Sequence, residues 1–171
     1  MILGMSLETF TLLHVVISLV GIGSGLIVLF GLISNKWFND WTLTFLITTA
    51  LTSITGFLFP ITKVTPGIVV GILSIAVLLI VALARYSFHL NDGWRRVYVI
   101  GATMALYFNV FVLIVQSFQK VPALKSLAPK QTEPPFAVTQ LAVFVIFVVA
   151  GVLAVKKFRP EAAPKARAAT A

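Results

Sequence analysis

Five apolar stretches, each near the roughly 20 residues that carry an α-helix across the hydrocarbon core of a bilayer, occupy most of this 171-residue chain. They run over 11–33, 41–59, 67–88, 97–117 and 137–155, and turn or charged residues end each one. This pattern predicts an all-α, polytopic integral membrane bundle of five transmembrane helices. With 59% hydrophobic and only 11% charged residues, the chain has more apolar surface than a soluble domain of its length could hide. Ser6 is placed to cap the first helix with Glu8 in its first turn, and Asp40 to cap the second. Pro60 and the run Asn91-Asp92-Gly93 act as breakers. The first stretch has no preceding Lys or Arg and exceeds 20 residues, so it reads as a permanent helix rather than a cleaved signal.

The net charge of +8 would point to nucleic acid in a soluble protein, but here the basic residues lie in short loops and a tail. That distribution reports membrane orientation, and no nucleic-acid partner is expected. Five crossings put Lys36, Arg85, Arg95, Arg96, Lys156, Lys157, Arg159, Lys165 and Arg167 on the C-terminal side. Lys63, Lys120, Lys125 and Lys130 fall on the other. Nine against four predicts an outer N-terminus and a cytoplasmic C-terminus, and the chain looks like a small multi-pass protein of the bacterial cytoplasmic (inner) membrane. Trp37, Trp41 and Trp94 lie in or beside the two inner loops, where indoles favour the headgroup boundary. Residues 158–171 read as a disordered basic tail that can touch anionic lipid.

Helical spacing assigns packing faces. Thr11, His14, Ser18, Gly21 and Gly25 share one face of the first span, and Gly21 to Gly25 is a small-xxx-small step that admits a neighbouring backbone. The second span divides its threonines between two faces, as expected of a helix with neighbours on both sides. Gly71, Ser74, Ala82, Arg85 and His89 align on the third, Gly101, Ala105, Asn109 and Gln116 on the fourth, and Gln140 and Gly151 on the fifth.

Amide and imidazole side chains are costly in hydrocarbon and are therefore candidates for function. His14, Thr55, Gln116 and Gln140 are expected at one depth beneath the outer Pro-rich loop 118–136, with Asn109 deeper. Together these five are the candidate ligand-binding residues, either as a shallow pocket or as a polar plug that sets helix register. Arg85 can snorkel to the inner headgroups. Within the loop, Pro122 at a helix N1 position and Pro129 bracket a short amphipathic turn with Leu124 and Leu127 inward.

Several chemistries find no support. Without cysteine there are no disulfides and no thiolate-bound zinc or iron–sulfur centre. His14 and His89 lie near opposite ends of the bundle, roughly 20 Å or more apart, too far to share a haem iron. Glu8, Asp40, Asp92, Glu133 and Glu161 are scattered one to a loop or terminus, which disfavours paired-carboxylate catalysis. Gly21-Ile22-Gly23-Ser24-Gly25 lies inside a helix rather than after a strand and is no phosphate loop. The expected protein is not an enzyme and carries no cofactor or metal. It is an accessory subunit or a binder of a small lipophilic ligand, with membrane lipids, a second copy or another membrane protein as partners. A small oligomeric transporter is the alternative, and a subunit of a membrane redox complex comes third.

Overall fold

The computed structural model describes residues 2–60, 65–91 and 93–159. Those residues form an all-helical bundle: α1 (Leu7–Ile33), α2 (Asn39–Phe57), α3 (Pro66–Ala82), α4 (Trp94–Lys120), the short α5 (Pro122–Leu127) and α6 (Pro134–Lys157). A π-helical turn, Leu83–Ser87, extends α3. Lys63 and the expected tail from residue 160 onward lie outside the described residues.

Local chemistry sets the ends of these helices. Ser6 accepts the Thr9 N–H at 3.1 Å and caps α1, satisfying one of the donors that a helix start leaves over. Prolines open α3, α5 and α6, where a missing N–H is harmless. Asp40 does not cap α2. The helix begins two residues earlier than expected, at Asn39 with Phe38 at the cap position, and Asp40 sits in its first turn. The break after the π-helical turn falls on His89 and Leu90, whose φ values of 50° and 58° reverse the chain through the left-handed region.

Four helices are long and apolar enough to cross a membrane: α1, α3 with its π-helical extension, α4 and α6. The length of α2 is adequate, but its 19 residues include Asn39, Asp40 and six threonines. Each of Thr42, Thr44, Thr48 and Thr55 turns its hydroxyl back to the carbonyl four residues earlier, at 2.6–2.8 Å. The helix is therefore less polar on its surface than its composition suggests.

The core is built on α1 and α4, with α2, α3 and α6 packed against them; α1, α2 and α4 meet at Gly25. Gly25 is closed over by Phe45 and Leu106, and Gly101 receives Val81, so glycine on one helix makes room for a large residue on the next. Against this core the outer faces carry exposed large apolar residues, such as Leu141, Phe144, Ile146 and Val149 on α6. In water this exposure would drive aggregation, whereas in a bilayer the lipid covers it. Phe158 was expected to open the flexible tail, but it is only 1% exposed. Its ring stacks near Trp37 at 5.4 Å, and Arg95 donates to the Val155 and Phe158 carbonyls at 2.9 and 2.6 Å. The Arg159 N–H closes the latch on Asn35 Oδ1 at 2.7 Å.

Candidate functional site

The polar residues within the bundle pair across helices. His14 Nδ1 and Thr55 Oγ1 are 2.8 Å apart, joining the start of α1 to the end of α2, and the Phe59 ring meets the imidazole edge-on at 5.2 Å. Two turns deeper along α1, Gly21 faces a second junction. There Asn109 of α4 donates to Thr49 Oγ1 of α2 at 3.0 Å, and a Cβ at Gly21 would meet Thr48 Oγ1 at 3.2 Å and Asn109 Nδ2 at 3.6 Å. The small residue thus lets α1 lie against a hydrogen bond between its two neighbours.

Gln140 of α6 donates to the Phe111 carbonyl of α4 at 3.3 Å, and its Oε1 is buried without a partner among the described residues. Thr52 Oγ1 shares that condition. Gln116 is exposed and stands apart from the other four. Its neighbour Val115 instead receives the Gln131 side chain at 2.8 Å from the loop. Among the five candidate residues, then, the structure joins His14 to Thr55 and Asn109 to Thr49, attaches Gln140 to α4, and leaves Gln116 outside.

The loop above folds around α5. Leu124 is half-buried as expected, but Leu127 is 57% exposed and the fully buried residue is Ala128, which follows it. Glu133 binds the Lys130 and Thr132 N–H groups at 3.0–3.3 Å. Slight desolvation raises its pKa, but backbone N–H donors and the Lys130 charge outweigh this and hold the carboxyl below its ordinary range. A polar recess of about 230 Å³ lies here, edged by Gln119, Lys125, Lys130 and Gln131.

At the opposite end Arg85, on the π-helical turn, donates to Asn39 Oδ1 at 2.8 Å and lies within 3.5 Å of the Tyr98 hydroxyl. Its guanidinium rests over the Trp37 ring, 4.7 Å from the centroid, and Trp37 also donates to Asn39 Oδ1. Arg85, which can reach toward headgroups, is here held as a clamp between α2, the π-helical turn after α3, and α4. A π-helical turn is a frequent carrier of such special side chains.

A cavity larger than this recess lies elsewhere, between α4 and α6. It is a groove of about 430 Å³, open along one side. Ile100, Thr103, Met104 and Tyr107 form one wall, and Phe144, Phe147, Val148, Gly151, Val152 and Val155 the other, with Lys156 at one end. Tyr107 stands 5.6 Å from Phe144 and 5.7 Å from Phe147, ring to ring, and these three aromatics mark the other end. Gly151 gives the groove depth, since a Cβ there would come no nearer than 3.4 Å to Thr103. Nothing in the spacing of the sequence marked this groove. The one available signal was Gly151, and small residues on a helix more often mark contact than space.

Among the described residues no three His, Asp or Glu side chains gather as metal ligands. The four long apolar helices place the protein in the class of integral membrane helical bundles. The chain matches no protein-family model, no curated protein and no solved structure.

Proposed function

We propose that this protein is a non-catalytic membrane protein, a binder or accessory subunit, that takes up a lipophilic molecule in the groove between α4 and α6. The observation that carries this reading is the groove itself: about 430 Å³ with almost wholly apolar walls, within the range of small-molecule sites. The polar groups expected to receive a ligand are better used as register pins. His14, Thr55 and Asn109 satisfy one another or Thr49, which leaves a guest little to bond.

In this reading the bundle has five spans. The His14–Thr55 bond ties one end of α2 to the start of α1, and the Arg85–Asn39 bond ties the other end of α2 to the end of α3. A helix held at both ends of its neighbours, about 28 Å long, lies across the same slab that they cross. The N-terminus is outside and the C-terminus cytoplasmic, in the bacterial cytoplasmic membrane, because Lys36, Arg85, Arg95, Arg96, Lys156, Lys157 and Arg159 collect at one end of the bundle.

Native mass spectrometry of the protein released gently from its membrane tests the reading. The wild type should retain a lipophilic molecule. Gly151→Leu should fill the groove, since a side chain there meets only ordinary contact, and should abolish retention while keeping the helical circular dichroism and its melting midpoint. Equal retention by both proteins would refute the groove as the site.

A further inference from the structure

The groove between α4 and α6 has a depth and a charged end that specify its occupant. From Phe144 to Lys156 is twelve residues of helix, about 18 Å at about 1.5 Å per residue. One leaflet of hydrocarbon is about 15 Å deep, half of the roughly 30 Å core. The groove therefore runs from one membrane surface to about the midplane and stops at Tyr107, Phe144 and Phe147. A slot one leaflet deep and apolar along its length, with Tyr107, Phe144 and Phe147 at its inner end, has the dimensions of a single acyl chain.

Its polar end carries one charged lining residue, Lys156, at the level where a headgroup phosphate stands. Two arginines at this end of the bundle are committed elsewhere, and Arg96, exposed one turn before Ile100, does not itself line the groove. Arg95 donates to the carbonyls of Val155 and Phe158, and Arg85 to Asn39. Arg95 thereby anchors the end of α6. Lys157, next along the chain, is exposed and does not line the groove.

Resting on the binding reading above, we propose that the occupant is an anionic phospholipid of the leaflet at the basic end of the bundle, with one acyl chain in the α4–α6 groove and its phosphate on Lys156. A lysine near an anionic lipid surface supplies about 1 kcal/mol, about a fivefold preference, so Lys156 alone should favour an anionic over a zwitterionic lipid by about that factor.

The test uses the full chain in nanodiscs of phosphatidylcholine with an equal share of phosphatidylglycerol, read by native mass spectrometry of the lipid that stays with the protein after the disc is stripped. The expected result is about fivefold more retained phosphatidylglycerol than phosphatidylcholine. Lys156→Gln should bring the ratio near one with total retained lipid unchanged, Lys156→Arg should restore it, and Lys157→Gln should leave it alone. Soluble glycerol phosphate should not compete, because the chain holds the ligand. Lipid retained without preference, or a preference that Lys156→Gln leaves intact or that Lys157→Gln reduces equally, would overturn the anionic assignment and leave the groove reading standing. No lipid retained by any variant would overturn both, as would a lipid-free dimer crosslinked through Gly151→Cys, which would make the groove an interface between copies.

Discussion

Replacing Gly25 with Ala adds one methyl group to α1 where it crosses α2 and α4. That methyl would stand 2.6 Å from Leu106 Cδ1 and 2.8 Å from two carbons of the Phe45 ring, against about 3.5–4.0 Å for carbon atoms at rest. Both neighbours are 1% exposed, so neither can swing aside and a helix must move by about 1 Å. Overpacking of this kind costs about 1–3 kcal/mol, and the higher helix propensity of Ala returns about 1 kcal/mol. Gly23 is the control, since a Cβ there meets nothing within 4 Å. Gly23→Ala receives the propensity gain alone, so the difference between the two variants isolates the clash at about 1–3 kcal/mol, about 5- to 150-fold in the unfolding equilibrium. Reversible unfolding in mixed micelles, followed by far-ultraviolet circular dichroism, measures both. Coincident curves would mean that α1 does not sit against Phe45 and Leu106, and the three-helix junction described here would fall with that contact.

Other perturbations read other parts of the bundle. Asn109→Ala should lower stability by about 0.6–1.7 kcal/mol, the scale of an interhelical hydrogen bond in a membrane, and in a double-mutant cycle with Thr49→Val the two losses should not add; full additivity would sever the pair. His14→Ala should cost about 1 kcal/mol while Gln116→Ala, at an exposed position, should leave the same unfolding curve unmoved. Because the chain has no cysteine, Ser126→Cys and Lys36→Cys can report sidedness: an impermeant maleimide should label the first in intact cells and the second only after permeabilisation, and the reverse would invert the orientation. In the Glu133 loop the carboxylate is held below its ordinary range, so its contribution is complete above the unfolded carboxylate value and is lost as pH falls through the lowered one. The amide proton shifts of Lys130 and Thr132 should titrate with that lowered midpoint, and Glu133→Gln should abolish the titration. Arg85→Lys should loosen the clamp, because an ammonium cannot stack over Trp37 and bond Asn39 with one planar group; Trp37 emission, measured with Trp41 and Trp94 replaced by Phe, should shift.

The helical class and the apolar exterior were legible in the chain because both follow from local properties. A run of about 20 apolar residues needs no partner to be a helix in lipid, where every backbone group must bond within its own segment. Proline, glycine and a serine cap act on their immediate neighbours, which is why the opening of α1 at Ser6 and the proline start of α5 could be read directly, whereas Pro134, read as loop, opens α6. Threonine made α2 the hard case: counted as polar residues they weaken a membrane helix, yet their hydroxyls are absorbed by the helix's own carbonyls.

Tertiary structure alone decided what each small or polar residue does. Gly101 and Gly151 are the same residue on neighbouring helices, but Val81 crowds the space beside the first while only Thr103 touches the space beside the second, which lines the groove. Gln116 and Gln140 belong to adjoining helices, and only the rotation of each about its axis leaves the first exposed and turns the second onto Phe111. Arg85 could have stood alone at the surface, but the π-helical turn and the positions of Trp37 and Asn39 give it a stacking and a hydrogen-bonding partner. Sequence determines the helix and the lipid-facing majority, since the solvent acts on each segment separately. Which face meets which neighbour, and where a gap is left, depends on the simultaneous packing of α1, α2, α3, α4 and α6, a property no single segment carries.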